Sequence, residues 1–120
     1  MATIPFQHLR TNQDGVVAHI LWETLTATNA DGSPFFGAHR PDKTVSVQGT
    51  FGGTVTLQGS NEATPVTWFT LNDTTGAALT FTTARLALVA ENPLWIRPLA
   101  GAGVGDVDVY LIAVAPESRV

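Results

Sequence analysis

Short segments in which every second residue is apolar, cut apart by turns rich in glycine and asparagine, set the limits on this fold. In residues 44–51, Val45, Val47, Gly49 and Phe51 fall on one side and Thr44, Ser46, Gln48 and Thr50 on the other. A period of two fits a strand with one buried face; a helix would need apolar residues every three or four positions. Residues 54–60 repeat the pattern with Val55 and Leu57 inward, and Gly52 and Gly53 stand between the two runs. Two alternating runs joined by a glycine pair predict a β-hairpin, the glycines supplying the positive φ of a tight turn.

The same reading extends along the chain. Residues 16–26 predict a strand with Val16, Ala18, Ile20, Trp22 and Thr24 on its apolar side. Shorter strands are expected over 66–71, 78–82 and 94–99, the last with Pro98 at an edge or bulge position. Residues 83–91 fit either a strand or one helical turn, closed by Pro93. In the last strand, 106–115, Val107, Val109, Leu111 and Ala113 face one way, while Tyr110, Ile112 and Val114 make half of the opposite face apolar too. A long loop over 29–41 carries the pair Phe35 and Phe36, which is expected to pack over one end of the domain. Residues 1–15 carry Pro5 and little pattern and read as an N-terminal arm or loop; residues 16–120 read as one domain. About seven to nine short strands at this spacing predict an all-β protein, an antiparallel β-sandwich of jelly-roll-like form.

Composition narrows the function. The chain of 120 residues is long enough to bury a core without a staple. The lack of cysteine excludes disulfides, thiolate metal sites and a cysteine nucleophile. A net charge of −4, with the basic residues scattered, leaves no footprint for a phosphate backbone, so no nucleic-acid partner is expected. The N-terminus lacks the pattern of a signal peptide, and no apolar run is long enough to span a bilayer, so no membrane is expected either. Only 13% of residues are charged while 44% are hydrophobic. A small monomer relies on surface charge for solubility. A surface this neutral is therefore expected to be covered in part, by a partner or by further copies in a homo-oligomer, a dimer or trimer.

No constellation for catalysis emerges. His8, His19 and His39 lack the short spacing of a metal-ligand pair, and no serine sits in a nucleophile elbow. Asp31 reads as a turn residue and Asp106 as the start of a strand rather than as calcium ligands. Trp22, Trp68 and Trp95 all lie in apolar strand segments and read as core residues. The expectation is a protein that is not an enzyme, with no catalytic residues, no metal and no cofactor.

Residues 42–61 (DKTVSVQGTFGGTVTLQGSN) resemble a stretch common in small tailed-phage virion proteins. Residues 22–25, 31–34, 71–76, 78–81 and 91–98 are similar to the same group, so the resemblance spans about Trp22 to Ile112. It departs from the group at Asn61, Glu62 and Ala63, where the relatives tend to read Asn-Asp-Gly. The resemblance implies a capsid decoration or cement protein made in the host cytoplasm. Such a protein binds the outer capsid surface of the virion, with the major capsid protein as partner, and holds capsomers together. Phe6, Phe35, Phe36, Arg40 and Trp95 are the candidate contacts with that partner. The alternatives are a tail or head–tail connector component, and a carbohydrate-binding adsorption module. The last would expose a tryptophan beside polar groups in a shallow groove.

Overall fold

The computed structural model describes residues 3–11 and 17–115; the side chains of Arg10 and Thr11 are outside the description. Ten strands are formed: β1 (Phe6–Thr11), β2 (Val17–Leu25), β3 (Phe35–Phe36), β4 (Asp42–Thr50), β5 (Val55–Ser60), β6 (Phe69–Thr70), β7 (Thr80–Phe81), β8 (Arg85–Val89), β9 (Trp95–Ala100) and β10 (Asp106–Val114). They build two antiparallel sheets. One runs β1-β2-β10-β4-β8; the other runs β3-β9-β5-β6, with β7 also paired to β5. The expected all-β, jelly-roll-like sandwich is the observed fold.

The alternation predicts which side chains meet between the sheets. Ala18, Ile20 and Trp22 from β2, Val45 and Val47 from β4, and Val107, Val109 and Leu111 from β10 are buried on one side. Val55, Leu57, Ile96, Leu79 and Phe81 are buried opposite them. Of the segment that reads as strand or helical turn, residues 85–89 are strand β8, with Ala87 and Val89 turned inward.

Three expectations are corrected. The pair Gly52 and Gly53 does not close a hairpin. It carries the chain from β4 in one sheet to β5 in the other. Neither glycine has positive φ; their use is close approach. A Cβ on Gly53 would lie 2.1 Å from the Ala102 carbonyl oxygen, and one on Gly52 2.4 Å from that of Gly103. Local alternation reports which face of a strand is buried but not which sheet it joins, and this crossing is invisible to it.

The second correction concerns the N-terminal arm or loop. Residues 6–11 form β1, an edge strand paired antiparallel to β2, with Phe6 opposite Trp22. The remainder of that region, residues 1–2 and 12–15, and Val16 at the start of the next expected strand, lie outside the described residues. The third concerns Pro98, which is not at an edge. It lies in β9 between β3 and β5, opposite Leu57. A residue's N–H and C=O point to the same side of a strand. The Pro98 carbonyl accepts from Gly32 N at 2.9 Å, so its missing N–H would face that segment and not the β5 ladder.

Trp22 sits where these features meet. It is fully buried, and its Nε1 donates to the Ser33 carbonyl at 2.9 Å. Phe6 meets its ring edge-on at 6.3 Å. A Cβ on Gly32 would stand 2.6 Å from Trp22 Cδ1. Trp22→Ala is expected to cost about 3–5 kcal/mol by cavity formation, read as a lower midpoint in urea unfolding. Gly53→Ala, forced against the Ala102 carbonyl, is expected to cost about 1–3 kcal/mol in the same measurement.

Candidate functional site

At one end of the sandwich, β3, the 37–41 loop, the 61–68 loop and the start of β9 come together. β3 pairs Phe35 with Ile96 and Phe36 with Trp95, so alternation sends the two phenylalanines in opposite directions. Phe35 goes in and is only 7% exposed; Phe36 goes out and is 40% exposed. Phe36 meets the His39 ring edge-on at 5.0 Å and lies 5.3 Å from the Trp95 ring. Trp95 is half-buried, and its Nε1 donates to the Glu62 carbonyl at 3.0 Å. The result is an aromatic patch of Phe36, His39 and Trp95 on a braced surface.

Hydrogen bonds hold the patch still. Gly37 N donates to the Leu94 carbonyl at 3.1 Å, Leu94 N to Asn61 Oδ1 at 3.0 Å, and Asn92 Nδ2 to the Ala38 carbonyl at 2.8 Å. From below, Lys43 on β4 turns inward, is buried, and donates through Nζ to Asn92 Oδ1. Desolvation pulls the Lys43 pKa down to about 8 from 10.5, with Asp42 opposing the shift. The strand pattern alone reads position 43 as an inward site but gives no reason for an ammonium there. The acceptor that keeps it lies far along the chain.

Beside the patch runs a groove of about 310 Å³. Gly59, Leu71 and Pro93 contribute apolar lining; Phe69, 67% exposed, lines it too. Gly59 is needed there, since a Cβ would fall 2.6 Å from Pro93 Cγ and 2.8 Å from Leu71 Cδ2. The groove carboxylates are engaged in building its walls. Glu62 Oε1 accepts from Thr67 N at 2.6 Å and Val66 N at 2.8 Å, and these bonds hold its pKa below the usual carboxylate value. Glu91 accepts from Asn72 N at 2.8 Å and from Asn72 Nδ2 at 2.7 Å.

The five candidate contacts divide. Phe36 and Trp95 are brought together. Arg40 is half-buried in the loop that leaves β3. Phe35 is removed from the surface by its parity in β3, and Phe6 is half-buried with its ring 5.5 Å from that of Phe35. Both serve the core edge. His39, weighed in the sequence only as a metal ligand, and Phe69 join the site without having been expected as contacts. Phe69 stands in an apolar segment that predicts burial, and only its place on the outer strand β6 exposes it.

The tryptophans also divide. Trp22 is core, as expected, while Trp68 and Trp95 are half-buried. Arg97 stands 4.2 Å over the Trp68 ring and occupies one of its faces. That guanidinium is fixed in turn by Gln58 Oε1 at 3.0 Å and Asp31 Oδ2 at 3.6 Å. Asp108 Oδ1 accepts from Thr24 N at 2.9 Å, at a bulge where Thr24 takes φ 63°. Asp31 and Asp108 are thus bound up in structure. Among the described residues, no group of three histidine, aspartate or glutamate side chains is placed to hold a metal ion.

No protein-family model matches the chain, and no curated protein matches it in sequence. Solved structures match its fold. The SPBc2 prophage-derived protein YomS is similar at 15% identity, covering 83% of this chain and 96% of that one, with a TM-score of 0.58. The cupin domain of Schizosaccharomyces pombe Cnp3 is similar at 13% identity, covering 92% of this chain and 60% of that one, with a TM-score of 0.50. KdgF from Halomonas sp. matches at 9% identity over 96% of this chain and 82% of that one, with a TM-score of 0.46. At such identities the likeness concerns the fold alone, a cupin-like jelly roll. The expectation that the chain is not an enzyme is corrected: the jelly roll it shares with the Cnp3 cupin domain hosts many unrelated functions, so the want of a sequence motif does not exclude chemistry.

Lys43 gives the site a measurable pH signature. Its folded pKa of about 8 lies below the ordinary 10.5. Between those values the unfolded chain keeps a proton that the folded chain has released, so this group makes stability rise with pH across the window. Below the window both states are charged and its contribution is constant. In thermal unfolding from pH 8 to 10.5, wild type is expected to gain stability relative to Lys43→Met; parallel profiles would show that Lys43 titrates normally.

Proposed function

We propose that this protein is a bacteriophage virion structural protein of the capsid decoration or cement type, docking on the major capsid protein through the Phe36–His39–Trp95 end. The observation that carries the reading is the aromatic patch itself: exposed Phe36 and His39 against half-buried Trp95 on a hydrogen-bonded frame, next to an apolar groove. Aromatic anchors supply much of the energy of protein interfaces, and a braced frame loses little freedom on binding. The resemblance of residues 22–112 to small tailed-phage proteins supports a virion role. The fold shared with prophage-derived YomS is in keeping with it.

The mechanism is mechanical. A capsid packed with DNA fails where its subunits part. A protein that binds across such a seam favours the closed shell by mass action, and many symmetric copies multiply a modest contact. Phe36 and Trp95 would seat in apolar hollows of the shell, with the groove and Phe69 extending the contact.

Purified protein mixed with capsids stripped of it is expected to sediment with them saturably and to raise their melting temperature. The paired change Phe36→Ser and Trp95→Ala is expected to weaken this binding by roughly tenfold or more, as loss of two interface anchors does. Absence from capsids together with presence in purified tails would replace this reading with a tail or connector role.

A further inference from the structure

The sheet β1-β2-β10-β4-β8 turns one face to the core; on its other face Leu86 and Leu88 are exposed, His19, Thr44, Ser46, Tyr110 and Ile112 half-buried, and Leu21 buried. The register lays this outer face out in rows. Leu88, Thr44, Ile112 and His19 form one row across β8, β4, β10 and β2; Leu86, Ser46, Tyr110 and Leu21 form the next. Leu86 and Leu88 are 69% and 54% exposed. Neither row carries a carboxylate, lysine or arginine on those four strands. On the edge strand β1, Arg10 pairs opposite His19, and Asp42, Glu23 and Asp108 stand toward the ends of the face, so its charges lie at the margin. An outer face of an antiparallel sheet that meets water is ordinarily polar; strands apolar on both faces, as β10 is from Val109 on, belong to sheets covered on both sides.

We propose that a second copy of the chain covers this face, the two sheets stacking about a two-fold axis as a homodimer. Size argues for it. Strands of six, nine, nine, nine and five residues, at about 4.8 Å spacing and about 3.3 Å per residue, give a face of roughly 600 Å². That is near the ~800 Å² a standard interface takes from each partner. Chemistry chooses the partner. A two-fold contact sets a patch against its own image, and a patch neutral at its centre offers that image no like charge to repel it. Sheets stack face to face at about 10 Å with interdigitated apolar side chains, as Leu86, Leu88, Tyr110 and Ile112 would do. The aromatic patch lies on the other sheet and stays open, so this dimer stands independently of the function proposed above.

Sedimentation equilibrium of the full chain, from low to high micromolar concentration, is the test. A mass rising to twice 12.7 kDa is expected. Leu86→Asp with Leu88→Asp is expected to weaken self-association by at least about tenfold, with an unchanged far-ultraviolet dichroism spectrum. Phe69→Ser and Trp95→Ala, both away from this face, are expected to keep the dimer. A monomer at all concentrations, a trimer, or a dimer indifferent to the two aspartates would overturn the proposal. Should the double variant not fold, hydroxyl-radical labelling of wild type decides. Leu86, Leu88 and Tyr110 are expected to be protected at high concentration and labelled on dilution, and equal labelling would sink the idea.

Discussion

Trp22 must lie in a dry core and still find an acceptor for its indole N–H, and the segment over residues 31–34 meets both demands. The ring is fully buried on β2, and the Ser33 carbonyl takes its proton. Gly32 is held so close to the indole that no side chain fits there. Ser33 then accepts from Phe6 N through Oγ, which brings β1 onto the edge of the sheet. Two residues on, the chain enters β3, where Phe35 packs inward and Phe36 is turned out. One buried tryptophan thereby orders the first sheet's edge and the entry to the aromatic patch on the second.

The patch is built on the hydrogen-bonding needs of loops. Backbone groups of the 37–41 and 61–68 segments and of Leu94 are satisfied by Asn92, Glu62 and Asn61 in turn. The buried ammonium of Lys43 ties this assembly to the first sheet through Asn92. Burial of a charge is tolerated only with such a partner, and the lowered pKa is its mark. The rings of Phe36 and Trp95 are therefore presented on a surface whose shape is set before any partner arrives, which suits them to be anchors.

Two surfaces of different character result. The aromatic end is small, grooved and edged by polar atoms; the outer face of the first sheet is broad, regular and neutral at its centre. They lie on different sheets, so occupying one leaves the other open. Scarce charge over the whole chain, 13% of residues, has its physical counterpart in these two places.

Much of the fold is legible along the chain because burial of one strand face is a local property. The inward residues of β4, β5 and β10, and of β2 as far as Trp22, follow from alternation; past Trp22 the bulge turns Thr24 outward and Leu25 into the core against that reading. The site is less legible. Phe36 and Trp95 stand out as aromatics in or beside a loop, whereas Phe35 and Phe6 carry the same chemistry and go to the core edge. What the sequence by itself determined is the all-β character, the core-facing side of each long strand, in β2 as far as Trp22, and the surplus of apolar surface. Only the tertiary structure decided that Gly52 and Gly53 cross between sheets, that Pro98 lies in a central strand, and that Lys43 is buried against Asn92. Each of these depends on a neighbour distant along the chain: the 102–103 carbonyls, Gly32 and Asn92. A local pattern records whether a side chain is buried, but not which remote group it is buried against.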